Sequence, residues 1–299
     1  MNLTGEQYVI AAGEHRATIV EVGAGLQRYT FGGVDVTCTY GEDVLPPKAC
    51  GITLVPWPNR IRDGRYTFEG TEYQLALTDP SSGNAIHGLG RWVRWTKVTH
   101  EASAVTLRLD VVPQNGYPFP LRVDVTYALH PELGLMVTIG ARNLGRTRAP
   151  FGAGSHPYLA TRGHALADTT LQLPAGELLV TDEKSVPVGV RSVAGSDVDL
   201  RRGKRLKSLR MDDGFTDLAV QDGRGVAEVR TPAGGARLWF EETFRFLQVF
   251  TLDALTAQQP GIAIEPMTCA PNAFNTGAGL IVLEPGGAWS GSWGITPLA

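Results

Sequence analysis

Cysteine is scarce and poorly placed for chemistry. The 299-residue chain has three, Cys38, Cys50 and Cys269. Their odd number and wide separation argue against a disulfide framework, and without a CxxC pair a zinc ribbon or redox dithiol lacks its ligand set. Three free, buried thiols are the expected state. No apolar run approaches the roughly 18 residues of a membrane-spanning helix. The N-terminal stretch MNLTGEQYVIAAGEHRATIVEVG has no basic region followed by an apolar one. A soluble, cytoplasmic protein that does not engage membranes is therefore expected. Neither sign of charge dominates. The 27 Lys and Arg stand against 30 Asp and Glu, a net charge of −3, so nothing marks the chain for nucleic acid. Long amphipathic helices, fixed-period repeats and low-complexity linkers are missing as well, and residues 1–299 read as one domain.

Turn formers and strand patterns take their place. The 36 Gly and 19 Pro make up about 18% of the chain, against roughly 12% ordinarily. Ala17 to Val22, Ala104 to Val112, Leu121 to Leu129, Leu135 to Arg142 and Leu247 to Leu252 alternate or run apolar over strand lengths and are rich in Val, Thr, Ile, Tyr and Phe. RYTFEGTEYQLAL and VAEVRTPAGGARLWF read as hairpins around Glu69-Gly70 and a Gly-rich loop. Only 201–210 and 252–258 suggest short helices. Many short strands without alternating helices predict an all-β fold, a large β-sandwich. So wide a sheet has a concave face that can hold a small polar ligand such as a sugar.

Six histidines are present. His15, His100, His130 and His164 lie in polar or turn contexts and read as surface residues. His87 and His156 differ: each is surrounded by small residues, in Asn84-Ala85-Ile86-His87-Gly88 and Gly154-Ser155-His156-Pro157-Tyr158, where backbone and ligand can approach closely. Glu265 ends the apolar run Gly261-Ile262-Ala263-Ile264. A carboxylate there is costly unless paired or functional, and burial would raise its pKa toward a range useful for proton transfer. The structural alternative is a salt bridge to Arg60, which follows the proline-flanked Val55-Pro56-Trp57-Pro58. Asp212-Asp213-Gly214-Phe215-Thr216-Asp217 reads as a turn with adjacent carboxylates, either solvated or a weak calcium loop without EF-hand spacing.

In this order, the segments Asn59-Arg60-Ile61, Asn84-Ala85-Ile86-His87-Gly88, Ser155-His156-Pro157-Tyr158-Leu159, Asp212 with Phe215, Gln248-Val249-Phe250, Glu265 and Pro271-Asn272 resemble the aldose 1-epimerase (mutarotase) family. The resemblance implies a galactose mutarotase-like supersandwich with few short helices and a site on its concave face. It implies an enzyme that interconverts the α and β anomers of an aldose, with Glu265 as general base, His156 as general acid and His87 beside the ring oxygen. Arg60, Asp212 and Gln248 would contact the sugar, and Tyr158 or Trp57 would stack on its ring. No metal or organic cofactor is implied. Ser155 and Asp213 stand where galactose-type enzymes carry Asn and His, so the chain looks more like a bacterial branch related to sulfoquinovose and general aldose mutarotases.

Arg91, four residues after His87, would suit an anionic C6 substituent such as a sulfonate or phosphate. Two other readings compete. One is a non-catalytic carbohydrate-binding module on the same fold. The other is a cupin-type metal enzyme using His87, His156 and Glu265, which are about 70 and 110 residues apart with no HxH pair. A small-molecule sugar is the expected partner, and a monomer or homodimer the expected assembly.

Overall fold

The computed structural model describes residues 2–256 and 259–298. Two large antiparallel sheets dominate, as the strand pattern predicts. The first has nine strands, and its centre is built from Leu121–His130, Gly134–Asn143 and Ala288–Leu298. The second has eight, and Asp212–Leu218, Phe246–Thr256 and Gln259–Met267 lie side by side in it. A four-stranded sheet from Gln7–Ala12 to Val34–Asp35 packs against the first.

Alternation explains these strands. In Leu121–His130 the side chains of Leu121, Val123, Val125, Tyr127 and Leu129 are buried while those between them are partly exposed, as a strand with one face in the core requires. The main apolar cluster draws Tyr8, Ile10 and Ile19 from the small sheet, Val123 and Val125 from the first large sheet, and Leu247, Val249, Ile262 and Ile264 from the second. All three cysteines are free and buried. Among the described residues, no helix is long and apolar enough to cross a membrane.

Several local expectations are corrected. Residues 201–210 form turns and the two-residue strand Lys204–Arg205; Gly203 at φ 75° and Lys207 at φ 50° are incompatible with a continuous helix. Of 252–258, residues up to Thr256 continue the strand Phe246–Thr256, and 257–258 lie outside the described residues. Among the described residues, the α-helix is the unforeseen four-residue Ala273–Thr276. Asp212 and Asp213 begin a strand and not a turn, so their side chains leave opposite faces. His15 is not at the surface. It is 3% exposed, with Nδ1 at 2.8 Å from the Tyr29 hydroxyl and Nε2 at 3.2 Å from the Pro131 carbonyl. The hairpin Arg65–Phe68/Thr71–Gln74 does turn at Glu69-Gly70, both with positive φ.

Gly88 is the glycine the fold needs most clearly near the concave face. It sits at φ 71°, bridged to Val55, and a Cβ there would overlap the Val55 carbonyl. Gly88→Ala is expected to cost about 1–3 kcal/mol, seen as a lower urea midpoint by circular dichroism. An unchanged midpoint would show that this close approach is not required.

Candidate active site

Period-two alternation decides which side chains meet on the concave face of the eight-stranded sheet. Along Gln259–Met267, Ile262 and Ile264 enter the main core, so Glu265 points to the other side. Along Phe246–Thr256, Leu247 and Val249 enter the core, leaving Gln248 and Phe250 beside it. The register places Gln248 directly opposite Glu265 and Asp212 opposite Phe250. Directly opposed residues on one face are contact neighbours. Gln248 donates to Asp212 Oδ1 at 2.8 Å.

Loops complete the cavity, of about 380 Å³, lined by Arg60, His87, Arg91, His156, Asp212, Gln248 and Glu265 together with Lys48, Asn59, Asp79, Trp92 and Phe250. Seven of the nine candidate site residues singled out in the sequence thus line one cavity. Tyr158 does not. It is fully buried, its ring stacks on His156 at 5.0 Å and 12°, and its hydroxyl donates to the Lys48 carbonyl at 3.2 Å. It supports the imidazole from behind. Trp57 is also buried, against Tyr117 and Phe274. The aromatic side chains that do reach the cavity are Trp92 and Phe250.

At the bottom, His156 Nε2 lies 3.3 Å from Glu265 Oε1, with the two side chains 6% and 3% exposed. The structural alternative, a salt bridge between Glu265 and Arg60, is not formed among the described residues; Arg60 Nε pairs with Asp79 at 3.0 Å. Burial pushes the Glu265 carboxyl well above its usual range; Asp212 adds to this and Arg60 opposes it. Burial also drives His156 down to about 3. Burial thus favours the neutral form of each group, and at 3.3 Å the two are close enough to share a proton. Glu265 Oε2 and His156 Nδ1 have no hydrogen-bond partner among the described residues.

His87 stands next to this pair, its ring centroid 5.5 Å from that of His156. It adopts φ 62° and exchanges two contacts with Asn59: its N–H donates to the Asn59 carbonyl at 2.9 Å, and its Nδ1 accepts the Asn59 N–H at 3.3 Å. Burial first, then the nearby His156, Arg91 and Arg60, hold it neutral. With Nδ1 accepting, the single ring proton must be on Nε2. His87, His156 and Glu265 have the composition of a metal-binding set, and their ligand atoms lie within 4.8 Å of one another. The fit is poor, because a ring whose Nδ1 accepts a hydrogen bond presents an N–H, and not a lone pair, at Nε2.

Asp79 and Trp92 were missed by sequence reasoning, and Asn59 was quoted in the motif without a role. Asp79-Pro80-Ser81-Ser82-Gly83 reads only as a turn. Asn272 was part of the motif, and its use is now visible: its N–H donates to the Arg60 carbonyl at 2.6 Å and its Oδ1 accepts from Arg62 N–H at 3.1 Å, which ties the Arg60 strand to the segment after Glu265.

Comparison with known proteins gives a consistent result. A family model described as aldose 1-epimerase matches residues 6–296. The chain is 36% identical over 292 residues to YihR of Escherichia coli (strain K12), covering 96% of this chain and 91% of that one. It is 29% identical over 218 residues to galactose mutarotase of Rattus norvegicus, covering 68% of this chain and 58% of the rat protein. Among solved structures, the GalM/aldose epimerase homologue of C. elegans superposes with a TM-score of 0.85 at 21% identity, covering 97% and 98% of the two chains. Galactose 1-epimerase of Lactobacillus acidophilus NCFM gives 0.80 at 21%, covering 96% and 92%. The fold is thus galactose mutarotase-like.

The buried carboxyl has a measurable stability signature. The unfolded chain releases the Glu265 proton near 4.5, whereas the folded chain keeps it to higher pH. The native state thus holds the extra proton, and stability from this group falls as pH rises above 4.5. Glu265→Gln removes that dependence while His156 stays common to both proteins. The variant is expected to melt above wild type at pH 7, with a gap that widens from pH 5 upward. A gap that shrinks as pH rises would contradict the raised pKa.

Proposed function

The chain belongs to the aldose 1-epimerase family and is an isomerase of the mutarotase type; from that premise we propose how its own residues carry the reaction. Interconverting anomers requires removing the O1 proton and protonating the ring oxygen O5, so that the C1–O5 bond opens to an aldehyde. C1 then turns about C1–C2, and the ring recloses from the other face with both proton transfers reversed. From the form of the pair that carries its shared proton on His156, Glu265 accepts the O1 proton and His156 delivers its own to O5. On reclosure the proton returns from Glu265 to O1 and from O5 to His156. The pair's proton count is the same before and after, which suits a pair shielded from water.

His87, with its proton on Nε2, donates a hydrogen bond toward the ring oxygen and holds the pyranose. Arg60, Asp212 and Gln248 contact the sugar hydroxyls. No step calls on a metal or organic cofactor. The single observation that carries this reading is the buried Glu265–His156 contact at 3.3 Å, formed on the wall of a cavity rich in hydrogen-bonding groups. A binding module without catalysis has no use for two ionisable groups held in mutual contact at such a desolvation cost.

A more specific reading concerns an anionic substituent at C6. Arg91 lines the cavity, burial lowers its pKa while the charge of nearby Asp79 opposes this, and it forms no direct ion pair among the described residues. Its guanidinium donates to the Thr78 carbonyl at 3.1 Å and lies 5.5 Å from the centre of the Trp92 ring. A partly desolvated guanidinium without a counter-ion suits a sulfonate or phosphate.

Polarimetry on freshly dissolved α-D-glucose and α-D-galactose tests the assignment. Glu265→Gln is expected to lower kcat by at least about 10²-fold with KM little changed, and prolonged EDTA treatment to leave wild-type rates intact. Near-wild-type turnover in Glu265→Gln would remove Glu265 from the mechanism. On a hexose 6-phosphate or sulfoquinovose, Arg91→Ala is expected to raise KM far more than it does on glucose; equal effects on all sugars would remove the anionic reading.

A further inference from the structure

Two guanidinium groups reach the cavity, and one short loop grips both. The loop runs from Thr78 to Asn84. The N–H groups of Thr78 and Asp79 donate to the Asn84 carbonyl at 3.0 and 2.9 Å, and Gly83 N–H donates to the Asp79 carbonyl at 2.9 Å. The Thr78 carbonyl accepts from Arg91 at 3.1 Å. The Asp79 carboxylate accepts from the Ser81 hydroxyl at 2.6 Å on one oxygen, and from the Ser82 hydroxyl at 2.7 Å and Arg60 Nε at 3.0 Å on the other.

This ion pair is sheltered, its two side chains being 15% and 12% exposed, so it is screened less than a surface pair. Burial pushes the Asp79 carboxyl up, but the hydrogen bonds from Ser81, Ser82 and Arg60 outweigh it and hold the pKa at about 2. Asp79 is therefore charged at any useful assay pH. The contact uses Arg60 Nε alone. The two terminal nitrogens make no side-chain hydrogen bond among the described residues, and they are the part of a guanidinium fork best suited to a pair of vicinal hydroxyls.

We propose that Asp79 is a positioning residue, locking Arg60 through Nε so that its terminal nitrogens are presented to the sugar hydroxyls. This rests on the reading of Arg60 as a sugar contact. Asp79 itself acts through Arg60 and not on the reacting atoms. Its loss is therefore a binding defect: an arginine freed from its anchor must be re-ordered by each incoming sugar.

A double-mutant cycle over Arg60 and Asp79, read by polarimetry on α-D-galactose, tests this. Asp79→Ala is expected to raise KM about tenfold, in line with loss of one charge-assisted hydrogen bond, with kcat within about threefold of wild type. The double variant Arg60→Ala/Asp79→Ala is expected to show no higher KM than Arg60→Ala alone. Asp79→Asn, whose amide still offers an acceptor to Nε, is expected to lie between wild type and Asp79→Ala, and it carries the comparison should the alanine variant fail to fold. A wild-type KM in Asp79→Asn and Asp79→Ala while Arg60→Ala raises KM would overturn the inference and leave the Arg60 contact standing. So would a double variant whose KM rise is the product of the two single effects. A wild-type KM in Arg60→Ala would overturn both.

Discussion

A carboxyl and an imidazole, both withdrawn from water and in contact with each other, set the terms for everything around them. Glu265 and His156 come from segments about 110 residues apart, yet their side chains meet at 3.3 Å. Desolvation drives each toward its neutral form, so a proton that leaves one is readily taken by the other. The proposed ring opening of a cyclic hemiacetal would draw on both groups across a single carbon. The same burial makes the pair a stability burden, which the rest of the fold must offset.

The architecture offsets it by rigidity. Glu265 lies on a strand flanked by partners on both sides, paired with Phe246–Thr256 along one edge and with Gly154–Ser155 and Tyr158–Ala160 along the other. His156 falls in the interruption between those last two short strands. Its backbone N–H donates to the Ile52 carbonyl at 3.1 Å, its carbonyl accepts from Gly51 N–H at 2.8 Å, and its ring rests on Tyr158. Trp293 Nε1 donates to the neighbouring Ser155 hydroxyl at 3.0 Å, so the first large sheet braces the loop as well. The Glu265–His156 pair is thus held by backbone and packing, while the polar groups proposed to meet the sugar are carried by side chains and loops on the cavity wall.

The division between what was legible in the sequence and what was not follows from range. Strands such as Leu121–His130 announce themselves by alternation, and Glu69-Gly70 announces its turn through residues that tolerate positive φ. Glu265 was visible because a carboxylate among Gly261-Ile262-Ala263-Ile264 violates the apolar pattern. The side chains that depend on long-range geometry were misjudged. Tyr158 and Trp57 are aromatic and near the motifs, but strand alternation and packing send them into the interior. His15 looked polar because its neighbours are, although Tyr29 and Pro131 enclose it across the sheet. Asp79 gave no signal beyond a turn, since its importance lies in Arg60, which is brought to it by the pairing of Arg60–Ile61 with Ala85–Ile86. Residues 201–210 suggested a short helix, but Gly203 and Lys207 take positive φ, and Arg201, Lys204, Arg205 and Arg210 each find an aspartate, Arg205 and Arg210 in distant segments.

The most direct measurement is a crystal structure of the protein with a bound aldopyranose. The account requires C1 to sit above the Glu265–His156 pair, with O1 within hydrogen-bond distance of a Glu265 oxygen and the ring oxygen within that distance of His156 Nε2. A sugar bound with C1 turned toward Trp92 and the cavity mouth, and the two side chains still sealed against each other beneath it, would contradict the account.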